Sequence, residues 1–488
     1  MKIRTLSIRN FKAIDSIFLE NIDDSVVIAG PNGCGKSCLF DAIRLTKSTY
    51  GGYQQNEWHH WFDEFQINRQ RLGTDVISLL RKKSEPMAIK ISFELSNDEK
   101  IYIKRNINQI LESIEWQHMR SDQSGRRKSQ FSASEVRRHQ PKIDEEVREQ
   151  TKAVISEIEK PLHVAHVVIS PSGNVEISPS RILELVFSTY DPNNIGLIDY
   201  HGANRQYARE AMGGINLNID DSDQRYKNHT LYGYSEKYKN IKSELASAYI
   251  KDLISAESDS THLRSMSLTN TLQELFRMFF PGKGFKGPQP TSDGKLGFPV
   301  TLDDGSAHDI NDLSSGEKEV LYGYLRLQNA APSNSIILLD EPELHLNPRL
   351  VRGLPLFYQR HIGIAKKNQI WLATHSDAFL RSAVGEPGFS IYHMRSPLES
   401  HKTGVQMKDI SASDEIEAAL FDLVGDLAAF APGGKIVIFE GGGDADFDVR
   451  FVSDLFPELA AKANFISGDN KLNTRKNPSA VDAGGDPD

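Results

Sequence analysis

Apolar positions fall into short runs punctuated by turn residues. The opening spacing of Ile3, Leu6 and Ile8 leads through Phe11 to Ser25-Val-Val-Ile-Ala-Gly30, an apolar run that predicts a buried strand. A glycine-rich stretch follows, and then Leu39, Ala42, Ile43 and Leu45 recur at helical spacing, giving the order strand, loop, helix. Two further runs, Ser335–Asp340 and Gln369–Thr374, are apolar throughout and end at polar residues, which suits central strands of a parallel sheet. Amphipathic helices are expected through Ile143, Val147, Val154 and Ile158, and through Tyr238, Ile241, Leu245, Tyr249 and Leu253. Neither sustains the heptads of a long coiled coil. Residues Ala88–Arg105 predict a hairpin turning at Ser96-Asn97-Asp98. Between Trp116 and Lys142 the chain collects Arg120, Arg126, Arg127, Lys128, Arg137, Arg138 and Lys142 among polar residues, and this stretch is expected to be exposed and mobile.

With 488 residues the chain outgrows a single core, so a main body with inserted or appended modules is expected. No signal-peptide core and no stretch of about 18 apolar residues occurs, so neither secretion nor a membrane span is expected and the cytoplasm is the expected compartment. The two cysteines, Cys34 and Cys38, sit four apart at a helix start, where a structural disulfide does not fit; a reducing compartment does. A formal charge of -9 argues against a globally basic coat for nucleic acid, while leaving local contact with DNA open.

Candidate chemistry concentrates at three places. Gly30-Pro31-Asn32-Gly33-Cys34-Gly35-Lys36-Ser37 matches the phosphate-loop pattern GxxxxGK[ST] between a strand and a helix, and Cys38 continues it. Its glycines let backbone N–H groups turn inward around phosphate oxygens at a helix N-terminus. Lys36 would meet the β and γ phosphates of ATP, and Ser37 would offer a hydroxyl to Mg²⁺. Asp340 and Glu341 end the second apolar strand, where Asp340 can hold the metal and Glu341 can polarise an attacking water. Leu313-Ser314-Ser315-Gly316-Glu317 lies ahead of that strand and offers a serine hydroxyl and glycine amides at a helix start; alone it would be only a helix cap.

These motifs, in this order, resemble the ABC ATPase class, and within it the soluble branch of SMC, Rad50-like, RecF and OLD-family proteins (AAA15/AAA21-type). The resemblance implies an α/β fold: an ATPase head of mixed β-sheet with flanking helices and a helical insertion. It implies ATP and Mg²⁺ as cofactors, slow hydrolysis, and a homodimer closed by an ATP sandwich, with higher oligomers open. In that sandwich Ser314 and Gly316 would contact the γ phosphate bound to the other subunit, and His375 of Thr374-His375-Ser376 would sense the γ phosphate as catalytic switch beside Glu341 and Lys36. Asn347, in Pro342–Pro348, would reach the dimer interface, with His345 structural. The first-lobe glutamine of the family falls on Gln206, with Gln109 as a rival.

Three features sit outside that frame. Cys34, a thiol at a helix N-terminus, is open to redox control or to simple packing. Trp58-His59-His60-Trp61-Phe62 is open to base stacking, an interface or packing beneath a loop, and Arg126-Arg127-Lys128 to solvation or DNA phosphate. Lys435-Ile-Val-Ile-Phe-Glu440-Gly-Gly-Gly-Asp444 resembles the opening of a Toprim domain, a partial βα segment without its later Asp-x-Asp strand; Asp486-Pro-Asp488 stands in a polar tail and is set aside. This segment is a remnant, a docking element, or the start of a longer fusion, and a complete two-metal site is not expected from it.

The expected organisation is a first ATPase lobe over 1–110, an inserted helical region over 111–300 that returns to that lobe, a second lobe over 301–432, and the Toprim-like or docking segment over 433–488. ATPases of this type resemble components of anti-phage systems of the OLD, PARIS or Septu type. The expectation is an ATP-dependent dimerising sensor that controls a nuclease or toxin effector in response to a phage-encoded trigger. The alternative is a RecF- or SMC-like DNA-repair or chromosome-maintenance ATPase that binds DNA directly. A transporter's cytoplasmic subunit is disfavoured, since no membrane-coupling feature is evident.

Overall fold

The computed structural model describes residues 1–53, 57–68, 72–118, 131–205, 231, 237–238, 241–247, 250, 268–285, 287–291, 296–330, 332–395, 406–411, 416, 419–420, 423, 435–440, 455 and 463–468. The chain forms two compact units, Met1–Ser413 and Asp414–Asp488, dividing ahead of the glycine pair Gly433-Gly434.

The first unit is a mixed α/β body built on two larger sheets. Five parallel strands lie in the order Phe389–Met394, Ser25–Ala29, Gln369–Thr374, Ile336–Asp340 and Ile198–His201, with Met407–Asp409 antiparallel on the outer edge. All five of these strands are buried at every position, which is why the runs at Ser25–Ala29, Ile336–Asp340 and Gln369–Thr374 read as largely apolar. The second sheet is antiparallel, ordered Ile14–Leu19, Lys2–Phe11, Met87–Glu94, His163–Ile169 and Val175–Ile177. The helix Lys36–Tyr50 touches strands of both sheets, and its Leu39, Phe40 and Ile43 share one core with Ile8, Ile89, Val167 and Trp371. Gln369 ties the sheets together as well: its Oε1 accepts from Ile3 N at 2.7 Å, and its Nε2 donates to the carbonyls of Ile3 and Asp23, each at 2.9 Å.

Two sequence expectations need correction. Only the first arm of the hairpin expected over Ala88–Arg105 is a strand; the second is the start of the helix Asn97–His118. Ser96 is a helix cap here: Glu99 N donates to Ser96 Oγ at 3.3 Å while Ser96 N donates back to Glu99 Oε2 at 2.8 Å, so the turn-forming residues begin a helix. Ile103, Ile107, Ile110, Leu111 and Ile114 then form its buried face. The stretch from Trp116 to Lys142 is not exposed throughout. Trp116 is buried and packs on Phe131 with tilted rings whose centroids are 4.8 Å apart, and Arg137, Arg138 and Lys142 belong to the helix Ala133–Ile158. Arg120, Arg126, Arg127 and Lys128 lie outside the described residues.

The helix Ala133–Ile158 buries Ile143, Val147, Val154 and Ile158 as its spacing predicts, and runs antiparallel to Asn97–His118, as the pairs Thr151 with Asn108 and Glu159 with Lys104 fix. Tyr238, Ile241 and Leu245 are buried, with helix over 241–247; Tyr249 and Leu253 lie outside the described residues. Within the aromatic cluster, Trp61 and Phe62 are buried and Trp61 packs on Phe65, so these two rings serve the core. In the second unit, Lys435–Glu440 forms the expected strand and pairs in parallel with Ala463–Gly468.

The edge strand Ile198–His201 is pinned by a buried polar network. Lys237 Nζ pairs with Asp199 and donates to the Tyr200 carbonyl at 2.7 Å, while the His201 ring lies 3.1 Å from Asp199 and 2.7 Å from the Tyr238 hydroxyl. Burial, reinforced by Lys237, depresses the His201 pKa to about 4, and burial does the same to His163 on the antiparallel sheet. Both imidazoles fold neutral, so their contribution is complete above the unfolded value of about 6.5 and is lost as pH falls towards 4. For the fully enclosed His201 this amounts to roughly 3 kcal/mol. The urea midpoint is therefore expected to drop steadily between pH 7 and pH 4.5, and His163→Gln to flatten part of that slope; a midpoint constant across this range would contradict it.

Candidate nucleotide-binding site

Parallel pairing decides where the site stands. Ala29 pairs with Thr374, and Ala373 pairs with Asp340, so three neighbouring strands reach their carboxyl ends at one edge. The glycine-rich loop, His375 and Glu341 leave the sheet together there, stitched by Gly30 N to Thr374 O at 3.3 Å and Glu341 N to Ala373 O at 2.9 Å.

The loop needs its glycines for two separate reasons. Gly33 and Gly35 have φ of 80° and 112°, in the region that side-chain-bearing residues rarely occupy. At Gly30 the constraint is space: a Cβ there would lie 2.3 Å from the Met394 carbonyl oxygen. Pro31, Asn32 and Gly33 form the outer rim, and Lys36 folds inward, donating to the carbonyls of Gly30 at 2.7 Å and Pro31 at 3.0 Å. The Cys34 side chain is buried against Gly30, and burial raises the pKa values of both the Cys34 and Cys38 thiols. Of the two readings open for Cys34, packing is the one that its burial favours, since enclosure outweighs the pull of Lys36 on the thiol.

Asp340 is only 4% exposed, its carboxyl lies beside Ser37, and its Oδ1 has no hydrogen-bond partner. Burial pushes its carboxyl up to about 6, against the opposing pull of Ser37. A buried carboxylate oxygen facing a serine hydroxyl at a phosphate loop fits Mg²⁺, which takes one or two protein ligands and completes its shell with phosphate oxygens and water. Among the described residues no group of three His, Cys, Asp or Glu side chains could hold a metal ion by itself.

Glu341 adopts φ 48°, a left-handed backbone that turns its carboxylate back toward the strand edge. There His375 Nδ1 lies 3.3 Å from Glu341 Oε1 and 3.6 Å from Glu343 Oε1, within ion-pair range but without the alignment of a hydrogen bond. Proximity lowers the Glu341 pKa and raises that of His375, so both favour their charged forms. Glu343, which sequence reading passed over, is buried, accepts from Thr374 Oγ1 at 2.5 Å and from His375 N at 3.1 Å, and so fixes the switch backbone. Its spacing two residues beyond the Asp-Glu pair was the available signal.

Ser314 caps the helix Ser315–Ala330 through a reciprocal pair with Glu317: Ser314 N donates to Glu317 Oε2 at 2.9 Å and Glu317 N donates to Ser314 Oγ at 3.3 Å. Lys283 adds an ion pair to Glu317 at 2.7 Å. Gly316 packs against the His345 carbonyl, which a Cβ would approach to 2.8 Å. Asn347 caps the next turn through its carbonyl, accepting from Leu350 N at 2.8 Å. Gln206 lies outside the described residues, and Gln109 sits exposed on Asn97–His118, a position that does not suit the first-lobe glutamine.

Two more positions escaped sequence reading. Arg205 reaches the carbonyls of Asp340 and Glu341, at 2.9 and 2.6 Å. Gln406, buried at the start of Met407–Asp409, donates to the carbonyls of Ala13 and Cys34, both at 3.1 Å, and accepts from Asp15 N at 2.8 Å. Its amide thus fastens the phosphate loop to the turn after the first strand, and no local motif marks it. Gln406→Leu takes the side-chain partner from Asp15 N and from the buried Cys34 carbonyl, at a cost of about 1–3 kcal/mol for each group left unpaired, while the Ala13 carbonyl keeps Arg81 Nη1 at 3.1 Å. The expected result is a folded protein whose affinity for a fluorescent ATP analogue, measured by titration, falls roughly tenfold, or about 1.4 kcal/mol; wild-type affinity would show that the loop holds its shape without this amide.

Residues 25–381 match the family model described as "AAA domain, putative AbiEii toxin, Type IV TA system". No curated protein matches. Similar solved structures include an SmcHead bound to the C-winged helix domain of ScpA, at 14% identity over 85% of this chain and 99% of that one with a TM-score of 0.39. A second is the Smc head domain with an extended coiled coil bound to the C-terminal domain of ScpA, derived from Pyrococcus furiosus, at 15% identity, 84% and 96% coverage and a TM-score of 0.40. A third is the SMC head domain from Thermotoga maritima, at 13% identity, 84% and 99% coverage and a TM-score of 0.38. The matched span holds the phosphate loop, the Ser314 helix start, Asp340, Glu341 and His375 and takes in most of the chain, which therefore belongs to this AAA-domain family.

Proposed function

We propose that the chain is an ATP-hydrolysing, ATP-dimerised regulator that serves bacterial anti-phage defence by controlling a nuclease or toxin effector. The observation that carries the ATPase reading is the convergence of Lys36, Ser37, Asp340, Glu341 and His375 on one sheet edge. The family description, which names a toxin and a type IV TA system, supports a place in a toxin-linked system.

The resting geometry suits a switch. Lys36 is held by two loop carbonyls, and phosphate oxygens would take their place as its partners. Ser37 and Asp340 would hold Mg²⁺, whose charge offsets that of the phosphates. Glu341 is kept ionised beside His375. A γ phosphate that draws the imidazolium toward itself leaves Glu341 to accept a proton from water. Ser314 and Gly316, at a capped helix start, would meet the nucleotide of a second copy, so the same ligand would report ATP and join the chains. In this reading the segment over 433–488 docks the effector and turnover resets the assembly.

Lys36→Ala is expected to abolish binding of ATP. Glu341→Gln is expected to retain ATP, to lower phosphate release at least 100-fold, and to shift the protein toward dimer in light scattering. A Glu341→Gln protein that stays monomeric with ATP would count against the sandwich. For the biological role, bacteria carrying the gene with its native neighbours should resist phage only with Lys36 intact and an effector neighbour present. Failure across a broad phage panel, together with salt-sensitive ATP-dependent DNA binding, would favour the DNA-maintenance alternative.

A further inference from the structure

Arg205 is the most heavily engaged cation at the edge of the site, and nothing in the chemistry above uses it. It follows the edge strand Ile198–His201 by four residues, and its side chain is 4% exposed. Nη1 donates to the carbonyls of Gly202 at 2.8 Å and Asp340 at 2.9 Å, and Nη2 donates to the Glu341 carbonyl at 2.6 Å. Nε pairs with Glu319, itself buried on the helix Ser315–Ala330. One planar guanidinium thus spans the edge strand, the backbone of the Asp340-Glu341 pair and the helix that Ser314 caps.

The contacts to Asp340 and Glu341 go to their carbonyl oxygens, not to their carboxylates. These two carbonyls bracket both backbone dihedrals of Glu341, the residue whose φ is 48° and whose carboxylate faces His375. A left-handed, non-glycine residue persists only where its surroundings over-determine it, and two hydrogen bonds from one rigid fork do so here. Shifting the helix Ser315–Ala330 moves Glu319, Glu319 moves the fork, and the fork moves the peptide that aims Glu341.

We propose that Arg205, held by Glu319, is a positioning residue that couples the helix capped by Ser314 to the aim of Glu341 in the same chain. Resting on the ATP-dimer reading above, this regulates both half-sites at once: a chain that engages its partner's nucleotide with Ser314 sets its own Glu341 for the nucleotide it holds. Hydrolysis in the two half-sites is then cooperative. Lysine cannot replace the arginine, because a single ammonium carries the charge without the fork.

The test uses the full-length chain in two arms. In the first, without nucleotide, amide hydrogen exchange is compared between wild type, Glu319→Gln and Arg205→Lys. Both variants should speed exchange across 341–346 at least tenfold and leave the phosphate-loop peptide over 26–36 as in wild type; unchanged exchange at 341–346, or equal acceleration everywhere, overturns the proposal. In the second, Arg205→Lys should bind ATP within about threefold of wild type while kcat falls at least tenfold and the Hill coefficient for ATP drops from near the two sites of a dimer toward one. Wild-type kcat and Hill coefficient in Arg205→Lys overturn the proposal. A wild-type chain that neither binds nor hydrolyses ATP sinks the ATPase reading, while the exchange arm still decides the link between Glu319 and Glu341.

Discussion

The parallel register of three buried strands is the constraint on which the rest of the site depends. Because Ala29, Thr374 and Asp340 end side by side, three loops that are distant in sequence must emerge within reach of one small ligand. The strands can be so regular because they are buried at every position, so a slip would expose apolar side chains and break ladder hydrogen bonds together. The second sheet does not contribute reactive groups. It braces the helix Lys36–Tyr50 from behind and is locked to the first through the fully bonded amide of Gln369.

On that rigid edge the polar groups divide into two kinds. Gln369, Gln406 and Arg205 hold backbone, with polar atoms spent on carbonyls and amides of neighbouring segments. Asp340 and Glu343 contrast with them. Among the described residues, the buried carboxylate oxygens without a hydrogen-bond partner are Asp340 Oδ1 and Glu343 Oε2, and they lie three residues apart. A buried carboxylate oxygen left unpaired is costly, so its presence twice at one edge fits the proposed reading, in which an incoming cation or donor would complete the structure.

What was legible in the sequence was whatever local pattern determines. The phosphate loop declares itself through glycines that need positive φ, and the central strands through unbroken apolar runs. The hairpin expected at Ser96-Asn97-Asp98 failed because the residues that favour tight turns also cap helices, and Glu99 three residues on from Ser96 tipped the balance through reciprocal bonds. Gln406 and Arg205 were illegible for another reason. Gln406 acts 372 residues away from Cys34, and Arg205 acts 136 residues away from Glu341, so only the folded topology reveals what either one holds. The sequence left Cys34 open between redox control and packing because a helix N-terminus alone does not say whether the thiol is enclosed, and here it is.

The same distinction explains why the site can be both rigid and responsive. Most of its geometry is over-determined: Met394 leaves no room for a Cβ at Gly30 or Gly35, and Glu343 holds the Thr374 hydroxyl and the His375 backbone. The freedom that remains sits in groups held by weak or exchangeable contacts, namely Lys36 on two carbonyls and His375 between two carboxylates at 3.3 and 3.6 Å. In the proposed reading a phosphate ligand would compete for these same two side chains while leaving the frame untouched. Binding can therefore redistribute charge around Glu341 at little cost in strain, and any larger movement must pass through the elements that grip its backbone, which are the strand edge at Ala373 and the guanidinium of Arg205.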